Sequence, residues 1–190
     1  DGEFSRKIDS QDEDIGSRAV IRNARELVWY PSEVDTSIRT GWFYHPEEDT
    51  DVRTADELLD IYLDAVGANA SLLLNIPPDT HGRIAAPDCA SLTELGTKIQ
   101  QIFASNVTEK AKITADSAIA QHPITQAVDG MADTYWQAAY GQESDTITLN
   151  FPKPQKVSCV VLGEHLPTGQ RIESGEIWAD GSKASEFTVV

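Results

Sequence analysis

The chain has 190 residues, a formal net charge of −16 and 40% apolar residues, enough for one large or two small globular domains. So acidic a balance lacks the basic footprint that nucleic acids and anionic membranes require, and no apolar run approaches the ~18 residues that span a bilayer. Residues 1–64 hold seventeen acids against seven lysines and arginines, so much of the imbalance is local and reads as a solvated face.

In chain order, residues 1–17 are polar and acid-rich and read as a surface loop. The first residue is not Met and no hydrophobic signal segment follows, so a processed, trimmed or fragmentary chain is expected. Ser17–Leu27 has helical composition, and Leu27–Val34 reads as a short strand leaving through Pro31. Thr54-Ala-Asp-Glu57 is a capping-box pattern, and Leu58, Leu59, Ile61, Tyr62, Ala65 and Val66 recur at helical spacing behind it. A helix to about Val66 is predicted, stopped by Gly67. The apolar run Ala70–Ile76 ends at Pro77-Pro78 and fits a strand buried on both faces, as in a parallel sheet covered by helices. Leu92, Leu95, Ile99, Ile102 and Phe103 predict the next helix, completing an α/β pattern.

After about Asn106 the pattern changes. Ile147–Phe151 alternates strictly, and Val157–Leu162 and Glu176–Trp178 are further strand candidates between Pro and Gly turns. This is all-β patterning, so the expected domains are 1–108 and 109–190. Both look incomplete, the first for want of strands and the second because it stops in mid-pattern. Cys89 and Cys159 are seventy residues apart, which gives neither a disulfide framework nor metal-ligand spacing, and buried free thiols are expected. Of the two N-x-S/T sequons, Asn69 is expected to be buried. Asn106 follows a helical pattern and could carry a glycan if the protein is secreted.

Trp29–His45 reads WYPSEVDTSIRTGWFYH, with rings and charges interleaved. In an extended segment Glu33 and Asp35 share a face. Carboxylates beside Trp29, Tyr30, Trp42 and Tyr44 suit a carbohydrate site, where rings stack on sugar C–H faces and acids hold hydroxyls or do acid/base chemistry. The structural alternative is an aromatic-capped strand end whose acids pair with Arg39 or Arg25. His45 alone reads as a hydrogen-bonded structural group. Asn75-Ile-Pro-Pro-Asp79 follows the buried strand, at the end where parallel-sheet enzymes gather functional loops. Alternatively the prolines simply stop the strand, with Asn75 or Asp79 organising the turn. There is no Ser/His/Asp order, phosphate-binding glycine loop or zinc motif, so no cofactor is expected.

The blocks EVDTSIRTGWFYH, TADELLDIY and VGANASLLLNIPPDTHGRI, in this order and spacing, resemble the α-L-fucosidase family of glycoside hydrolases, nearest the branch cleaving α-1,3/1,4-linked fucose. The resemblance runs from about Ile15 to Val107. It implies the C-terminal portion of a (β/α)8-like barrel in a retaining enzyme acting on fucosylated glycans. Such an enzyme uses an aspartate nucleophile and a second carboxylate about 5 Å away. The nucleophile would lie upstream, in a remaining N-terminal part of the barrel outside this chain, so the chain alone would be inactive. Trp42 matches an aromatic lining the fucose pocket near the sugar's methyl group. Glu33 matches a glutamate that is a candidate acid/base in some members, and Asp35, Tyr44 and His45 are lesser substrate-wall candidates. AVDGMADTYWQA, with ITLNFPKPQKVSCVVLGEH and GQRIESGEIW, resembles the first part of a discoidin-like β-sandwich. That resemblance raises a structural Ca²⁺ at the Asp-Gly turn, where Asp129 and Asp133 fall. Secretion is expected from the enzyme class and the Asn106 sequon. The alternatives are a non-catalytic carbohydrate-binding module and an accessory structural chain.

Overall fold

The computed structural model describes Arg22, Glu26 and residues 32–188. The N-terminal loop, Trp29, Tyr30 and almost all of the helix predicted over Ser17–Leu27 lie outside these residues. So does most of the strand predicted over Leu27–Val34. The chain divides into two compact units, Glu33–Leu162 and a second that joins Asp1–Ser32 with Gly163–Val190.

The first unit opens with a βαβα run: β1 (Glu33–Ser37), α1 (Ala55–Gly67), β2 (Ser71–Asn75) and α2 (Ala86–Ile102). β1 and β2 pair in parallel, Glu33 opposite Ser71 and Ser37 opposite Asn75. Parallel strands need a long crossover, and α1 provides it. β1 overlaps the described end of the predicted strand at Glu33 and Val34 and continues to Ser37, where β-branched Val34 and Thr36 favour extended backbone.

The capping box forms as predicted. Thr54 Oγ1 accepts from Glu57 N at 3.3 Å, and Glu57 Oε2 accepts from Thr54 N at 2.8 Å. The end of α1 differs from expectation. Gly67 remains helical, and the left-handed residue is Asn69, at φ 64°. Ala70 N donates to Ala65 O at 2.9 Å and Asn69 N to Val66 O at 3.1 Å, which is a Schellman motif with asparagine in the usual glycine position. Asn69 is therefore exposed, not buried.

Ile38, Ala55, Leu58 and Leu95 form the buried cluster, with Leu74, Ile76, Leu92 and Ile99 packed against it. Lys98 Nζ reaches Asp56 at 2.9 Å and so ties α2 to the start of α1. Side chains alternate along a strand, so Leu74 faces this core while Leu73 faces away and is 51% exposed. The expectation of a strand buried on both faces is corrected: the face shared by Glu33, Asp35, Ser71 and Leu73 is open.

Later pairing is antiparallel. β3 (Lys112–Ala115) pairs with β4 (Ile147–Asn150), within the predicted alternating run. Asp145 closes that region by accepting from Asp116 N, Ser117 N and Ser117 Oγ. Trp136 Nε1 donates to Ser117 O at 3.0 Å. Val157–Leu162 forms no strand. A strand is held by its ladder, and no described strand lies beside this segment, so Val161 is 74% exposed. Cys89 and Cys159 are both exposed, against expectation. Asn106 is exposed, its Oδ1 accepting from Thr108 N and Oγ1.

In the second unit, β5 (Ser174–Ala179) contains the predicted Glu176–Trp178 and pairs with β6 (Ser182–Thr188). Asp180 and Gly181 join them with φ of 49° and 80°, the positive pair that a two-residue type I′ hairpin requires. Gly175 leaves room for the Phe187 ring, since a Cβ there would sit 2.6 Å from it. The whole is a mixed α/β fold whose described sheets are short and unclosed. Among the described residues no helix is long and apolar enough to cross a membrane.

Candidate functional site

The segment between β1 and α1 is a loop closed on itself at the carboxyl ends of the two parallel strands. At its base, Ile38 N donates to Asn75 O at 3.0 Å and Arg53 N to Ile38 O at 2.9 Å. Arg53 Nε donates to Ser37 O at 2.9 Å. Thr40 Oγ1 crosses to Asp51 Oδ2 at 3.0 Å.

Inside this loop lies Arg39, with a fully buried side chain. Its Nε donates to both oxygens of Asp88 at 3.1 Å, its Nη1 to His45 O at 3.2 Å and its Nη2 to Asp49 Oδ1 at 2.8 Å. The Tyr44 ring lies 4.8 Å from its guanidinium carbon, within cation–π range. Burial opposes the charge of Arg39, but the bonds to Asp49 and Asp88 outweigh it and raise the pKa. Burial and the neighbouring Asp49 charge likewise raise that of Tyr44. Asp88 is completely buried in the first turn of α2, where free amides and the helix dipole favour a carboxylate.

A second set of bonds fixes the start of the aromatic stretch. Ser37 Oγ donates to Gly41 O at 2.8 Å and accepts from Arg39 N at 3.3 Å. Asn75 Nδ2 donates to Ser37 Oγ and to Trp42 O, both at 3.1 Å. Of the alternatives open at Asn75–Asp79, Asp79 organises the turn. Its Oδ1 accepts from His81 N at 2.8 Å and Arg83 N at 2.9 Å, and Gly82 takes φ 76°. The Arg83 amide hydrogen bond leads in pulling the Asp79 pKa down.

These contacts place the sequence candidates. Trp42 is 51% exposed and Phe43 78% exposed, held at the strand ends by backbone rather than buried by their rings. Tyr44 is half-buried on Arg39. His45 is exposed, its carbonyl holding the guanidinium. Glu33 and Asp35 share the open face of β1, as period-two alternation predicts. Arg39 is engaged by Asp88 and Asp49, so it is not the partner of Glu33 or Asp35. Glu33 is the first residue of β1, whereas Trp42 lies beyond its last. At about 3.3 Å per residue the strand separates its two ends by about 13 Å.

Asp49, Asp88 and Phe43 were not singled out from sequence, and Arg39 was named there only as a possible partner of Glu33 or Asp35. Pro87-Asp88 at a helix start was the available signal, but the pairing of Arg39 with Asp88 spans 49 residues and leaves no local trace. In the later part, Asp129 Oδ1 accepts from Met131 N at 2.9 Å, and Thr134 Oγ1 lies within 2.8 Å of both carboxylate oxygens. That carboxylate shapes its own turn. Among the described residues no group of three or more His, Cys, Asp or Glu side chains could hold a metal ion.

Residues 10–101 match the family model Alpha-L-fucosidase, which spans the whole β1 to β2 framework and the loop between. The chain is 34% identical over 151 residues to Alpha-L-fucosidase 1 of Arabidopsis thaliana, covering 77% of this chain and 29% of that protein. The chain belongs to the α-L-fucosidase family. A solved Bacteroides thetaiotaomicron structure assigned to α-L-fucosidase aligns at TM-score 0.60 and 37% identity, over 66% of this chain and 28% of that one. A Ruminococcus gnavus fucosidase in complex with fucose aligns at TM-score 0.69 and 26% identity, over 85% and 34%. The chain spans about 29% of the length of the curated α-L-fucosidase relative from Arabidopsis. The family match ends within α2, before the antiparallel strands begin.

Proposed function

We propose that this chain is part of a retaining α-L-fucosidase that releases terminal α-1,3/1,4-linked L-fucose from glycans. In this reading residues 1–108 belong to the C-terminal part of a (β/α)8-like barrel, and 109–190 begin a discoidin-like sandwich. The remaining N-terminal part of the barrel is the partner, and it carries the nucleophile. Parallel pairing confined to β1 and β2, followed only by antiparallel pairs among the described strands, supports that division.

The observation that carries the reading is the half-exposed Trp42, fixed by its backbone at the carboxyl ends of two parallel strands within the family match. Loops at that end hold the active site in barrel enzymes. A 6-deoxy sugar offers an apolar methyl, and an indole face can cover it without desolvating a hydroxyl. Tyr44 and His45, on the same loop, complete the wall, with Asp35 facing the barrel interior. The experiment is a fucose titration of the enzyme containing this chain, with and without Trp42→Ala. The reading requires loss of affinity in the variant.

A further inference from the structure

We infer that Asn75 is a positioning residue for Trp42, acting with Ser37 as a two-point clamp on the turn that presents the indole. The inference rests on Trp42 being the fucose wall. Asn75 ends β2 directly opposite Ser37, the last residue of β1, so their side chains leave the sheet on the same side. Its Nδ2 has two hydrogens and two acceptors at 3.1 Å, the Ser37 hydroxyl and the Trp42 carbonyl. A carbonyl only accepts, so the amide nitrogen, not the amide oxygen, must face Trp42. Ser37 Oγ passes its own hydrogen to Gly41 O at 2.8 Å. One side chain from each parallel strand therefore grips consecutive carbonyls, those of Gly41 and Trp42, on either side of the Cα that bears the exposed ring.

The Trp42 ring itself has little packing to fix it, being 51% exposed. Its direction is set through the backbone, and the clamp is what sets the backbone. Aspartate at position 75 would keep the shape but replace the donor with an oxygen facing an oxygen. The turn would swing while the sheet, held by its own ladder and by Ile38 N on Asn75 O, stays paired. A wall that touches the sugar equally in ground and transition states acts on KM more than on kcat.

The test compares Asn75→Asp, Ser37→Ala, Ser37→Thr, Trp42→Ala and the Asn75→Asp/Trp42→Ala double variant in the enzyme containing this chain, using an aryl α-L-fucoside. Asn75→Asp is expected to raise KM roughly tenfold with kcat within about threefold, as misplacement of a binding group does. Ser37→Ala should do likewise and Ser37→Thr, which keeps the hydroxyl, should restore KM. In the Trp42→Ala background Asn75→Asp should add little, because the residue it positions is gone. An unchanged KM in Asn75→Asp, or a penalty that multiplies fully with that of Trp42→Ala, overturns the inference. A KM unchanged in Trp42→Ala itself overturns the proposed function instead. Thermal midpoints distinguish a displaced turn from a misfolded sheet. If Asn75→Asp lowers kcat and the midpoint together, its role is structural and the inference fails.

Discussion

Arg39 holds its charge where water does not reach, and does so because each of its guanidinium nitrogens finds an acceptor. Removing one partner of a buried pair leaves the other charged and unsolvated, a penalty of about 3–5 kcal/mol. Arg39→Ala and Asp88→Ala are each expected to destabilise the fold by about that amount in urea unfolding. Arg39→Lys should not rescue, since an ammonium cannot span Asp88, Asp49 and the His45 carbonyl at once. An unaltered midpoint in Arg39→Ala would show that the loop stands without it. Glu33 makes the contrasting prediction. With about 13 Å of strand between it and the carboxyl end, Glu33→Gln should leave kcat within about threefold. A loss of 10²-fold or more would instead support Glu33 as the acid/base.

Among the elements, α1 was the most legible in sequence because everything that defines its start is local. Thr54 and Glu57 announce the cap and the apolar spacing announces the buried stripe. Its end was misplaced because a left-handed asparagine imitates glycine without being one. The strands were less legible. Val157–Leu162 looked like a strand without becoming one, since pairing depends on what lies alongside. Thr54→Ala should cost about 1 kcal/mol. The Thr54 amide hydrogen bond leads in lowering the pKa of Glu57. A carboxylate with a lowered folded-state pKa contributes stability above its unfolded value, roughly 4.3, and loses it as pH falls through the folded one. Glu57→Gln should therefore narrow the stability difference between pH 7 and pH 3, and an unchanged difference would remove the capping contribution.

On the scale of the whole molecule, the open sheet face is the feature the sequence suggested least. A continuous apolar run promised burial on both sides, and the helices cover one. Under the barrel proposal the other face meets the remaining strands. Leu73, 51% exposed in this chain, distinguishes the cases. Leu73→Ser should change the stability of the isolated chain by less than about 0.5 kcal/mol, as exposed substitutions do. In the complete enzyme it should cost about 1.5–3 kcal/mol, the scale of a fully buried leucine. Equal small effects in both would mean that nothing covers this face. The α/β order was readable because its signals lie in short contiguous blocks. The buried Arg39–Asp88 pair and the Asn75 clamp were not, because each joins residues far apart in the chain that only the fold brings together.

The central claim is that Trp42 walls a fucose pocket whose nucleophile lies elsewhere in the enzyme. Calorimetric titration of L-fucose into the complete enzyme, wild type against Trp42→Ala, tests it most directly. Binding in the variant is expected to be at least about tenfold weaker, the ~1.4 kcal/mol scale of one lost apolar contact face. An unchanged affinity would contradict it.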